Sequence, residues 1–201
     1  MALLSLFENN YEKTLMWVLI GVFLDSFDGL VARAFRATTE IGKQLDSLCD
    51  VISFGVVPGY FMYKYLSDFL SYELVPLSLS AFVVTLASIF RLARFNITPS
   101  SQLDFQGLPT PAFALFVIGI PFIPYEINPI IITVIVALLT VLMVSKIMLP
   151  SQKFVNGKPS NFFWIFAVVA IPALLIFRSQ ALSLTVLTYA FFGMLYMRLR
   201  A

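Results

Sequence analysis

The sequence predicts an all-α fold, a polytopic membrane bundle of about seven transmembrane helices. Three observations predict it. Of 201 residues, 60% are hydrophobic and only 12% charged, whereas soluble domains carry about 25% charged residues. Four uncharged runs, at 107–125, 127–145, 159–177 and 179–197, hold 19 residues each, close to the roughly 20 needed to cross a bilayer as helix. The runs are continuous and do not alternate, which excludes a barrel. No internal repeat, low-complexity tract or long linker divides the chain, so 1–201 is expected to be a single domain. Cys49 is the one cysteine, which rules out a disulfide within the chain. Residues 1–13 have neither the basic start nor the apolar length of a signal peptide. The net charge is +2, and a nucleic-acid partner is not expected.

Taken in order, the first spans are 14–35 and 42–65, apolar except for a group of aspartates. They are joined by a short hairpin at 35–41. Gly55 and Gly59 give a Gly-x3-Gly spacing suited to close helix packing, with Pro58 bending the helix. The run 74–90 is a further, shorter span. Gly107, Pro109 and Pro111 shape the start of the next helix. The stretch 146–159 is a polar connection with a turn at Asn156–Gly157, and the runs at 159–177 and 179–197 complete the bundle.

Positive charge orients it. If the 35–41 hairpin is cytoplasmic, that side holds ten of the 13 basic residues, Arg33, Arg36, Lys43, Arg91, Arg94, Lys146, Lys153, Lys158, Arg198 and Arg200. The outer side holds Lys13, Lys64 and Arg178. The chain is therefore expected in the cell (cytoplasmic) membrane, with its aspartates in a shallow cavity open to cytoplasmic water, which lowers the cost of acids near hydrocarbon.

Asp25 and Asp28 are three residues apart, and Asp46 and Asp50 four apart. Either spacing puts two carboxylates on one helix face, and the hairpin lets the two pairs meet. Four carboxylates in a small volume repel one another, a conflict that a divalent cation removes. A chain with no histidine offers oxygen ligands, which select Mg²⁺, Mn²⁺ or Ca²⁺ over zinc. Gly29 and Ala32 share the face of Asp25 and Asp28, and Gly42 lies one turn before Asp46. These leave room for a phosphate-bearing group, and Arg33 beside that room can pair a phosphate bidentately. Metal, arginine and room suggest phosphoryl transfer. On carboxylate spacing alone, two other readings stay open. One is a structural set of acids paired with Arg33, Arg36 or Lys43; the other is a divalent-cation transporter.

As a whole, Asp25-x2-Asp28-Gly29-x2-Ala32-Arg33-x8-Gly42-x3-Asp46-x3-Asp50 resembles the signature of the CDP-alcohol phosphotransferases, with no signature position substituted. The resemblance implies an integral membrane enzyme that moves a phosphoalcohol from a CDP-linked donor to a second alcohol and releases CMP. It implies a two-metal centre on Asp25, Asp28, Asp46 and Asp50, with Asp50 also the general base. It further implies a CDP site shaped by Gly29, Ala32, Arg33 and Gly42, and a homodimer. Three stretches, DSLCDVISFGVVPGY, RLARFNI and QGLPTPA, are similar to the phosphatidylserine synthase branch. They extend the resemblance over about residues 17–112. They imply CDP-diacylglycerol and L-serine as substrates, with membrane lipid around the donor's acyl chains. Other acceptors within the family are glycerol phosphate, inositol or inositol phosphate. Arg91, Arg94 and Asn96 are candidates for binding serine or a donor phosphate. Enzymes of this branch begin with one more membrane helix. Residues 1–7 look like its end and 8–13 like the loop after it, so one N-terminal helix of the family pattern is expected to be missing.

Overall fold

A computed structural model of the chain describes residues 1–34, 39–70, 78–97, 105–150, 154–155, 158–159 and 178–200. Within α2, the side chains of Ser26 and of residues 28–34 lie outside the description, as do residues 160–177 of the expected span at 159–177 and the turn at Asn156–Gly157. Residues fall into two compact units, Met1–Ile97 and Thr98–Ala201.

Among its described residues, the first unit is helices joined by turns. A short α1 (Ala2–Phe7) reverses through Asn9, whose φ of 58° is a left-handed conformation that asparagine tolerates better than most residues. Asn10 then opens α2 (Tyr11–Ala34, 24 residues), its side-chain oxygen accepting from the Lys13 N–H at 3.0 Å as an N-cap does. The Lys64 ammonium reaches the Leu6 carbonyl at 3.4 Å and the Asn9 side chain, fastening this reversal. Leu6, Thr14, Leu15 and Val18 are buried beneath it.

Thr39 caps α3 (Glu40–Asp50), its hydroxyl accepting from the Gly42 N–H at 3.0 Å. The helix does not stop at Asp50. It widens into a π-helical stretch, Val51–Val56, and tightens again as α4 (Val57–Phe69). Pro58 explains the change, because proline has no N–H to give and its ring crowds the carbonyl four residues back. The Val57 N–H accordingly donates to Ile52, five residues back. The whole run Glu40–Phe69 is 30 residues long and extends past the expected 42–65 at both ends. α5 (Val83–Ile97) packs along it. A methyl added at Gly55 would lie 3.0 Å from the Ser88 Cβ, and one at Gly59 would strike the Thr85 hydroxyl. The expected close packing at these glycines is therefore present, and Thr85 Oγ1 donates to the Gly55 carbonyl at 3.0 Å. Phe54, Val57, Phe61, Met62, Val84 and Leu92 form the core.

In the second unit, Gly107 has a φ of +71° and donates to the Ile147 carbonyl at 2.9 Å. A two-residue ladder pairs β1 (Phe105–Gln106) with β2 (Met148–Leu149), antiparallel. Pro109 caps α6 (Thr110–Gly119) and Pro111 occupies its first turn, as expected of these residues. A 3₁₀ turn (Ile120–Phe122) ends it. Asn128 caps α7 (Pro129–Val144), its side chain accepting from Ile130 N–H. β3 (Phe154–Val155) and β4 (Lys158–Pro159) pair antiparallel, and a 3₁₀ turn (Arg178–Gln180) leads into α8 (Ala181–Arg200). α6 and α8 meet at Ser183, whose hydroxyl donates to the Phe116 carbonyl at 2.8 Å.

Among the described residues, three helical stretches are long and apolar enough to cross a membrane, Glu40–Phe69, Ser78–Ile97 and Ala181–Leu199; α6 with its 3₁₀ turn and α7 are shorter apolar helices. Large side chains such as Leu86, Leu138 and Val141 stand more than 60% exposed, which lipid tolerates and water penalises. The chain is an integral membrane protein of the all-α class.

Candidate active site

The site lies in the first unit, where α2 meets α3. α2 brings Asp25, and α3 brings Asp46 and Asp50 from successive turns of its last stretch. One carboxylate oxygen from each of the three lies within 4.8 Å of the other two. Asp25 and Asp50 are partly buried and Asp46 is exposed, so the cluster opens to one side. Carboxylates gathered this closely repel one another, a conflict that a divalent cation removes.

These donors fit a hard divalent cation. Carboxylate oxygens bind Mg²⁺ at about 2.0–2.1 Å and Ca²⁺ at 2.3–2.6 Å, so two ligands of one ion can be no more than about 4.2 Å apart on Mg²⁺ and about 5.2 Å on Ca²⁺. The observed separations fall inside the wider limit and need only a small closure for the narrower one, and the chain has no histidine to favour a softer metal. Of the four aspartates named from the sequence, the structure brings Asp25, Asp46 and Asp50 together. Asp28 sits one turn beyond Asp25 in α2, but its side chain is outside the described residues, as are those of Ala32 and Arg33 and the surroundings of Gly29. Gly42 is exposed in the first turn of α3, one turn before Asp46, with its N–H given to Thr39.

α5 supplies the cationic side. Arg91 is buried, at 7% exposure, and its charge acts on Asp50. A buried guanidinium is retained at acceptable cost within reach of opposite charge. Arg94, one turn on, is half-buried and lies over the Phe90 ring, 4.7 Å from its centroid, a cation–π contact. Asn96 is not an ordinary helix cap. Its amide donates to Ser47 Oγ at 2.9 Å, and the Ser47 hydroxyl lies 3.2 Å from its carbonyl oxygen. Ser47 escaped the sequence reading. The available signal was its place three residues before Asp50, on the face that carries the acid.

The comparisons with known proteins agree with this geometry. The CDP-alcohol phosphatidyltransferase family profile matches residues 1–149. A CDP-diacylglycerol–serine O-phosphatidyltransferase of Methanocaldococcus jannaschii is 35% identical over 195 residues, 96% of this chain and 86% of that protein. One of Bacillus subtilis is 33% identical over 153 residues, 76% of this chain and 83% of the relative. One of Helicobacter pylori is 31% identical over 207 residues, 97% and 85% of the two chains. The likeness thus extends well past residue 112, where the recognisable motifs end. With its signature complete in sequence and three of its aspartates gathered in space, the chain belongs to the CDP-alcohol phosphatidyltransferase family of membrane transferases.

Proposed function

We propose that the chain is a phosphatidylserine synthase, transferring the phosphatidyl group of CDP-diacylglycerol to the hydroxyl of L-serine. The observation that carries this reading is the meeting of Asp25, Asp46 and Asp50 within 4.8 Å. It occurs in a chain similar over nearly its whole length to a protein named for that reaction. Asp28 is the fourth proposed ligand, and with Asp25, Asp46 and Asp50 it would hold two divalent cations, Mg²⁺ or Mn²⁺, which would supply charge neutralisation for the donor diphosphate and its leaving group.

Gly29, Ala32 and Gly42 leave the space into which the cytidine diphosphate fits, and Arg33 pairs a phosphate. Asp50 takes the proton of the serine hydroxyl. The serine oxygen bonds to the phosphorus that bears diacylglycerol, the bond from that phosphorus to the CMP oxygen breaks, and CMP leaves. Arg91 and Arg94 bind the serine carboxylate or a donor phosphate, with Asn96 at the same helix end. The site faces the cytoplasm across the cell membrane, on the side richer in lysine and arginine. Residues 1–201 act as one domain, which the family match supports by running through the boundary between the two compact units. Two copies form a homodimer, measurable by light scattering in detergent.

The test is CMP release from CDP-diacylglycerol in detergent micelles with Mn²⁺ or Mg²⁺, offering serine, glycerol 3-phosphate, inositol or inositol phosphate in parallel. Release that depends on serine and disappears in Asp50→Asn supports the reading. Release with another acceptor reassigns the substrate, and metal flux into liposomes without CMP release would favour a transporter.

A further inference from the structure

α3 is a helix held almost without a core. None of its residues is buried, and its apolar side chains Ile41, Leu45 and Leu48 stand 75%, 56% and 59% exposed. Yet it carries two of the three clustered aspartates. Its setting depends on polar contacts, and these follow a pattern along α5. The two helical runs lie antiparallel and meet at three levels. Gly59 faces Thr85, Gly55 faces Ser88, and Ser47 is bonded to Asn96, with Asp50 between the last two levels along its own run.

Asp50 is therefore bracketed. On one side the glycines seat the π-helical stretch against Ser88 and Thr85. On the other, the Ser47–Asn96 pair joins α3 to the last turn of α5. Ser47 is next to Asp46 and one turn from Asp50, so any rotation or slide that breaks this bond moves both carboxylates relative to Asp25 on α2. Asn96 also has its amide and carbonyl engaged by Ser47, at 2.9 and 3.2 Å, which suits an anchoring role better than a substrate contact.

We propose that Asn96 is a positioning residue, which through Ser47 fixes the placement of α3 and thereby the affinity of the aspartate cluster for its divalent cation. The inference rests on reading those carboxylates as cation ligands. The experiment is a Mn²⁺ titration of the purified full chain in detergent, with free Mn²⁺ read by electron paramagnetic resonance. The variants are Ser47→Ala, Asn96→Ala, both together, and Ser47→Thr. Groups that orient metal ligands directly change affinity by about 10–100-fold; one step further out, each alanine variant should weaken Mn²⁺ binding about three- to tenfold. The double variant should match either single, because both remove the same bond. Ser47→Thr, which keeps the hydroxyl, should bind as the parent does. At saturating Mn²⁺, the KM for serine should change less than about twofold, since uniform substrate binding is untouched.

Additive losses in the double variant would overturn the proposal, as would a raised serine KM in Asn96→Ala with Mn²⁺ affinity intact. Unchanged Mn²⁺ binding in both alanine variants would also overturn it, and so would a parent chain that binds no Mn²⁺. A parent that binds Mn²⁺ but releases no CMP with serine would refute the acceptor assignment alone, and the Mn²⁺ comparison would still decide this point.

Discussion

Gly59→Ala probes the contact between α4 and α5 with one methyl group. Built on the observed backbone, the new Cβ strikes the hydroxyl of Thr85, while the Thr85 Cβ and backbone nitrogen lie at 3.6 and 3.7 Å, ordinary contact distances. The conflict is therefore with one oxygen atom. That oxygen is not free to turn away, because it donates to the Gly55 carbonyl at 3.0 Å. If Thr85 rotates, the hydrogen bond is lost, about 0.5–1.5 kcal/mol; if the helices part instead, overpacking costs typically 1–3 kcal/mol. Either route predicts a loss of about 1–2 kcal/mol from Gly59→Ala. Thr85→Ala removes the offending oxygen, so the pair Gly59→Ala/Thr85→Ala should be less destabilised than the sum of its singles by about 1 kcal/mol or more. Thermal unfolding in detergent of the four proteins closes the cycle. Strictly additive singles, or a Gly59→Ala chain as stable as its parent, would refute the claim that this packing is limited by the Thr85 hydroxyl.

Asp50→Asn should lower serine-dependent CMP release by about 10²–10⁴-fold, the range for loss of a general base, with the protein still eluting as the parent does on size exclusion. Removing divalent cations with a chelator should abolish release, and added Mn²⁺ or Mg²⁺ should restore it; activity that survives exhaustive chelation would contradict the cation site. Gly107→Ala should destabilise the second unit by about 2 kcal/mol or more, because a left-handed conformation costs an ordinary residue roughly 1–2 kcal/mol and the new methyl would meet the Met143 and Leu142 carbonyls. A melting temperature equal to the parent's would count against it. Lys64→Met removes the clasp on the Leu6 carbonyl and Asn9, and limited proteolysis near residues 7–11 should quicken while CMP release changes little.

The all-α membrane fold was legible because uncharged length is a physical requirement for spanning lipid, and so were the aspartates, because helical spacing is local. What length alone could not fix were the helix ends. The run 74–90 stops at Arg91 by charge, but the helix continues to Ile97, since Arg91 is buried and belongs to the interior. The run 107–125 shrinks to a helix and 3₁₀ turn over residues 110–122, because prolines set its start and break its end. The Ser47–Asn96 bond joins positions 49 apart, and nothing local marks one as the other's partner. The π-helical stretch was equally hidden, for Pro58 announces a bend without saying how the backbone absorbs it.

That widened stretch has a geometric consequence. At about 100° per residue, nine residues of regular α-helix would point Gly59 roughly opposite to Asp50. A π turn takes up about one extra residue without advancing the rotation, which brings the two back to within about 80° of each other. Val51–Val56 thus works as a phase correction between an acid-bearing and a glycine-bearing segment, and a single neighbouring helix can serve both. An uninterrupted α-helix would need a separate partner on each flank, one for the glycines and another for Asp50.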